Sequence, residues 1–310
     1  MKKKYTSLLI CALTIFFLIE IFNNTEIILN AFFEGTIIWF KNIVPNTFLL
    51  FIITDILNNY HFTKYISLIM GNFIQKVFKL PKESSYTIVM SILSGFPSNS
   101  KLIKELLDDN QITINDANKL LTFTHFSNPL FVISTIGISF LNNKKIGIII
   151  LIVHYLTNFI VGLLFRNIYY EKKDNNNISK TKSLSFIPLL KISILNTVNT
   201  LFTIYGIIIF FFIITTIINY KFNLNPFHRM LINGLLEITN GLKKLSLLNI
   251  NVIIKATIST FFISFGGLSI HMQVISILEN YNINYGIYFL SRILHASISS
   301  LIVYLFLTYI

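Results

Sequence analysis

The sequence predicts an all-α integral membrane protein, with about seven transmembrane helices and two broken, re-entrant hairpins set in two inverted repeats. Three observations predict it. The chain of 310 residues is 54% hydrophobic and only 12% charged, about half the charge of an ordinary soluble domain. Its apolar residues are gathered into long runs, as in Ile204–Ile218, IYGIIIFFFIITTII, which contains no charge. The order of those runs and of their polar interruptions recurs in the second half. A chain with mean hydropathy +0.68 cannot cover a water-facing surface. A bilayer core of roughly 30 Å takes runs of about 20 apolar residues. Backbone groups in lipid must bond within their own segment, so the runs are helices. The alternation of a lipid-facing barrel is absent.

Nine apolar segments follow one another. The first, 8–22, is read as a retained membrane helix (domain 1–30). Cys11 follows Ile10, where a lipoprotein signal needs a small residue, and no small-x-small cleavage pattern precedes it. The second, 36–57, contains Pro45. A basic loop follows, and its middle, 65–78, has the pattern of an interfacial amphipathic helix. The third, 86–107, is broken by Ser94-Gly95-Phe96-Pro97-Ser98-Asn99-Ser100-Lys101. The fourth, 120–141, contains Ser127-Asn128-Pro129, and the fifth, 146–165, closes a first repeat assigned to 31–166.

A polar linker, 167–190, then carries Lys172, Lys173, Lys180 and Lys182. The second repeat, 191–310, runs through 195–218, then a short segment 230–248 with Glu237-Ile238-Thr239-Asn240-Gly241. It continues through 252–278, interrupted at Gly266-Gly267, to 287–307. His154 and His295 correspond at an offset of 141, and the break at Gly95–Lys101 falls opposite Glu237–Lys243.

The formal charge of +12 sits in loops, where it sets orientation and argues against a nucleic-acid partner. Lysines at 2–4, in the 64–82 loop, at 101 and 104 and in the linker share one side if the third and seventh segments are hairpins. The N-terminus is then cytoplasmic, and three crossings per repeat make the repeats inverted. Paired, interrupted segments point to a binding site near the bilayer midplane.

The candidate binding residues are those of the breaks. Gly95 and Pro97 disrupt helical bonding, while Ser98 and Asn99 supply polar groups beside a half-helix N-terminus. Asn128 offers donors and an acceptor, and Pro129 frees a carbonyl. Glu237, with Thr239 and Asn240, places a carboxylate where insertion costs about 2.5–3.5 kcal/mol. Gly266 and Gly267 permit close backbone approach, with Ser269, His271 and Gln273 after them. Arg292 needs a partner inside the membrane, and Glu237 is the candidate for an ion pair. His154 and His295 read as packing residues. There is no His-Glu-x-x-His spacing, no phosphate-binding Gly-Lys-Ser/Thr loop and only one cysteine. The reading is a non-enzyme without metal or cofactor.

At these residues the chain resembles the YlbJ-type sporulation integral membrane proteins. Gly95-Phe96-Pro97 with Lys101, Ser127-Asn128-Pro129-Leu130-Phe131 and Ile152-Val153-His154-Tyr155-Leu156 carry the likeness in the first half. Leu236 to Gly241, Phe265-Gly266-Gly267-Leu268-Ser269-Ile270-His271-Met272-Gln273-Val274 and Arg292-Ile293-Leu294-His295 carry it in the second. That family belongs with the nucleoside-recognition Gate proteins, among them spore maturation proteins and the gate portion of FeoB-type iron transporters. The resemblance implies a multi-pass protein of the bacterial inner membrane and a role in endospore cortex formation. It leaves two functions open: a permease-like carrier of a small polar solute (nucleoside or cation), or a non-transporting scaffold of spore-envelope assembly. The expected surroundings are the lipid bilayer and, as an open option, further copies of the chain.

Overall fold

The computed structural model describes residues 2–168 and 184–309, and among them every regular element is helical. Helix α1, Lys2–Asn23, meets α2, Thr25–Ile38, at a bend of 101°. A π-helical turn, Trp39–Ile43, leads to α3, Val44–Asn59, where Pro45 sits in the first turn and so loses no helical hydrogen bond. Helix α4, Phe62–Phe78, exposes Tyr65, Leu68, Ile69 and Phe73 on one side and buries Ile74 and Phe78 on the other. This is the amphipathic segment the sequence predicts.

A hairpin follows, α5 (Ser84–Ser94) and α6 (Ser98–Asp108), then α7 (Ile114–Phe123). Thr113 caps α7 by accepting from the Asp116 backbone N–H, while Asp116 accepts from the Thr113 N–H. This capping box satisfies two end donors, so Thr113→Ala should cost about 1 kcal/mol in denaturant unfolding. An irregular stretch, 124–128, separates α7 from the helical segment that runs into a π-helix, Phe131–Phe140, and α8, Lys144–Phe165, completes the first half.

The second half has the same order. It contains the long α9 (Phe186–Lys221), the hairpin α10 (Pro226–Leu236) and α11 (Ile238–Leu247), the interrupted pair α12 (Val252–Phe265) and α13 (Gly267–Ile277), and α14 (Tyr285–Tyr309). The shared core is built from both halves. Helix α14 packs on α8 and α12, and α2 and α3 lie along α9. Ile152, Leu156, Ile160 and Leu164 are spaced by four on α8 and are exposed. Leu195, Phe202 and Phe210, spaced by seven and eight on α9, are exposed as well. These stripes are the lipid faces of a multi-pass membrane protein.

The count of about seven spans is coarser in the structure. Among the described residues four helices, or five with the bent α1–α2 pair as one span, are long and apolar enough to cross a bilayer. The reason is local. The segments at 36–57, 86–107 and 120–141, counted in the sequence as spans despite their interruptions, hold helical pieces of only 16, 11 and 10 residues at Val44–Asn59, Ser84–Ser94 and Phe131–Phe140. The linker lysines at 172, 173, 180 and 182 lie outside the described residues.

Candidate functional site

Each half folds its hairpin tip onto its own interrupted helix. Gly95 (φ +77°) lies so close to Asn128 that an added Cβ would stand 2.6 Å from the Asn128 nitrogen. The Phe96 N–H donates to the Phe126 carbonyl at 2.7 Å, and Asn128 Nδ2 reaches the Ser94 carbonyl at 3.5 Å. In the second half a Cβ on Gly267 would meet the Gly234 carbonyl and Ile238 at 3.3 Å. A glycine is needed at both places because the partner is backbone.

The breaks meet at one central cavity of about 90 Å³. Ser94, Phe96, Pro97, Ser127 and Asn128 line it from the first half. Glu237, Ile238, Thr239, Ile270 and Gln273 line it from the second. Ile38, Ile43 and Thr47 of the α2–α3 segment and Ile204 and Ile208 of α9 form an apolar wall. Glu237 is 5% exposed and caps α11, accepting from the Asn240 N–H at 2.8 Å and from the Thr239 hydroxyl at 3.0 Å. A carboxylate at this helix N-terminus is held by the positive end of the backbone dipole. Asn128 Oδ1 accepts from the Leu130 N–H at 2.8 Å, and Gln273 donates to the Ser269 hydroxyl at 3.3 Å. Ser127 Oγ is buried on the cavity wall without a partner among the described residues. A lone buried hydroxyl costs about 1–3 kcal/mol, which a polar occupant of the cavity would recover.

Pro97, Asn128, Glu237, Thr239 and Gln273 are thus brought together. Ser98, Asn99, Asn240, Ser269 and His271 are buried behind the wall. Asn99 donates to Thr124 at 3.3 Å, Asn240 to Thr215 at 3.2 Å, and His271 bonds the Phe265 carbonyl at 2.9 Å and Tyr285 at 3.1 Å. Gly95, Gly266 and Gly267 shape the breaks. A Cβ on Gly266 (φ +96°) would stand 2.8 Å from His125 Nε2. Sequence reasoning missed Ser127 as a lining residue and the apolar wall, because nothing local marks an Ile as facing a cavity.

The expected Arg292–Glu237 pair does not form. Arg292 is fully buried and donates to the Thr122 carbonyl, with its guanidinium 3.2 Å from His295 Nδ1 and 3.5 Å from Asn158 Oδ1. Thr122 lies in the last turn of α7, where carbonyls lack helical partners and carry the negative end of the dipole. The helix terminus takes the place of a carboxylate, and Glu237 is occupied with capping. The two repeat-related histidines adjoin this arginine. His154 and His295 lie with ring centroids 4.7 Å apart. His154 accepts from the Ser127 N–H at 3.0 Å and bonds Ser264 at 2.9 Å. His295 Nε2 is 3.0 Å from the His154 carbonyl. Both are bonded core residues, as the sequence reading has them.

Residues 40–154 match the family described as nucleoside recognition, Gate. That similarity covers 115 of the 310 residues. The matched Gate segment begins in the π-helical turn and ends at His154, so it contains the first hairpin, the first interruption and their half of the cavity lining. The Gate similarity extends into a longer one. The sporulation integral membrane protein YlbJ of Bacillus subtilis (strain 168) is 26% identical over 340 residues, covering 97% of this chain and 83% of that protein. No solved structure matches. Glu237, Thr239 and Gln273 lie beyond the Gate match but face its residues across the cavity.

Proposed function

We propose that the protein is a permease-like carrier of a small polar solute in the bacterial cell membrane, working in sporulation. The observation that supports this best is that polar breaks from both halves meet at one cavity inside the membrane body. A purely architectural protein has no use for the insertion cost of Glu237, Asn128 and Gln273 at a common point. The sporulation context follows from the relative's name. In this reading the two halves are inverted repeats about the cavity, the hairpins α5–α6 and α10–α11 are re-entrant, and the N-terminus is cytoplasmic.

The cavity's size constrains the solute. At about 90 Å³ it is well below the roughly 300–1,000 Å³ of typical ligand pockets. It accepts a small solute or one ring of a nucleoside, and a whole nucleoside requires the hairpin tips to part. The test is uptake into proteoliposomes of labelled nucleosides and metal ions, comparing wild type with Glu237→Gln. Saturable uptake, reduced at least tenfold in the variant, is the expected result. Absence of uptake of every tested solute by folded, inserted protein would favour the scaffold of spore-envelope assembly.

A further inference from the structure

A second, larger cavity of about 580 Å³ runs beside the central one. Its long wall is α9. Ser193, Asn196, Asn199, Thr200 and Thr203 recur at helical spacing and all line it, while Leu195 and Phe202 point outward to lipid. From Ser193 to Thr203 this polar stripe is about 15 Å long at 1.5 Å per residue. Thr203 ends it, and the next residue, Ile204, lines the central cavity. The two cavities thus share α9 as a wall at consecutive residues.

Its inner chemistry is a mixed charge cluster. Lys101 is 8% exposed, with Nζ 2.5 Å from Asp55 Oδ1 and 4.0 Å from Glu105 Oε1, and 4.9 Å above the Phe51 ring. Asn58 donates to Glu105 Oε2 at 3.2 Å, but Glu105 Oε1 accepts no hydrogen bond among the described residues. Ser193, 1% exposed on the facing helix, has a hydroxyl with no partner among them either. Asp55 and Glu105 also lie against each other beside Lys101, so with both carboxyls ionised the trio carries one net negative charge in a poorly solvated place. Such a charge is costly unless a positive one joins it. The mouth is also acidic, with Asp108, Asp109 and Glu279 against Lys104, in a chain whose formal charge is +12. The other titratable groups about the cluster are His61, near Asp109, and Tyr86, near Asp55 and Glu105.

We propose that Asp55, Lys101 and Glu105, with the Ser193 hydroxyl opposite, form a site for a single monovalent positive charge, a sodium-class cation or a proton, that enters through this second cavity. Its role as a coupling site rests on the carrier reading above. Oxygen donors of carboxylate, amide and hydroxyl type suit a hard cation, and the acidic mouth concentrates cations. Neutralising Asp55 and Glu105 weakens their hold on Lys101. Pro97, on the central cavity, is one helical turn before Lys101 on α6, so occupancy of the charge site bears directly on the hairpin tip.

The experiment uses the purified full chain in detergent. Binding of ²²Na⁺ is measured, and the emission of the single tryptophan, Trp39, is followed during sodium titration against choline at fixed ionic strength. The emission is also followed during pH titration from about 5 to 8 without sodium. Expected is saturable sodium binding near one per chain, or a pH-dependent transition in Trp39 emission. The response should be abolished in Glu105→Gln and weakened at least tenfold in Ser193→Ala. Wild-type protein showing neither sodium binding nor a pH transition overturns the site, whatever the variants do. So does a response that survives Glu105→Gln unchanged. Sodium binding without uptake of any solute would keep the site and sink the carrier reading. Uptake indifferent to sodium and pH would do the reverse.

Discussion

Arg292→Met should destabilise the protein by about 3 kcal/mol or more, as read by thermal or denaturant unfolding in detergent. The substitution keeps much of the volume but deletes the donors. The Thr122 carbonyl, Asn158 Oδ1 and His295 Nδ1 then lose a buried partner, and each buried acceptor left alone costs about 1–3 kcal/mol. The opposing effect is relief from desolvating a guanidinium, which in some proteins makes such replacements neutral. Here the charge is compensated by the C-terminal end of α7 and by the Tyr288 ring, 5.8 Å from Arg292 Cζ. Deletion therefore uncovers a helix end as well as losing a charge. Glu237→Gln should not rescue the variant, since Glu237 is bonded to Thr239 and Asn240. The two effects should add within about 0.5 kcal/mol. Rescue by Glu237→Gln would restore the ion pair that the sequence suggests.

The second large effect is expected at Gly241. Helices α10 and α11 cross where Gly234 and Gly241 face each other, and a Cβ on Gly241 would run into the Gly234 backbone. Overpacking typically costs about 1–3 kcal/mol when side chains can yield. Backbone on both sides cannot, so Gly241→Val should lie at or beyond the top of that range. It should also move Glu237 and Thr239 off the cavity wall, abolishing solute uptake even where folded protein is recovered. Gly206, mid-way along α9, is the control, because nothing lies within 4 Å of its Cβ position. Gly206→Ala should be neutral or slightly stabilising, as helix propensity alone favours alanine by about 1 kcal/mol. Equal stability of Gly206→Ala and Gly241→Val would refute the close-packed hairpin.

Much of this molecule was legible along the chain. The apolar runs of α8, α9 and α14 announce membrane helices because lipid leaves the backbone no other partner. The breaks at Gly95–Pro97 and Gly266–Gly267 are visible because glycine and proline act locally on backbone conformation. The amphipathic pattern of α4 is equally local. From these residues the all-helical fold, the repeated order of elements and five of the cavity-lining residues could be named.

Which residues face one another was decided only by tertiary structure. Asn128 and Glu237 are over a hundred positions apart, and their shared cavity depends on how both halves close around α9. Arg292 found a helix end instead of a carboxylate, because a helix dipole is a property of a whole element and no residue type encodes it. The polar stripe of α9 stayed hidden within an apolar run, since its serine, asparagines and threonines gain meaning only from the acidic residues of α3 and α6 that packing sets opposite them.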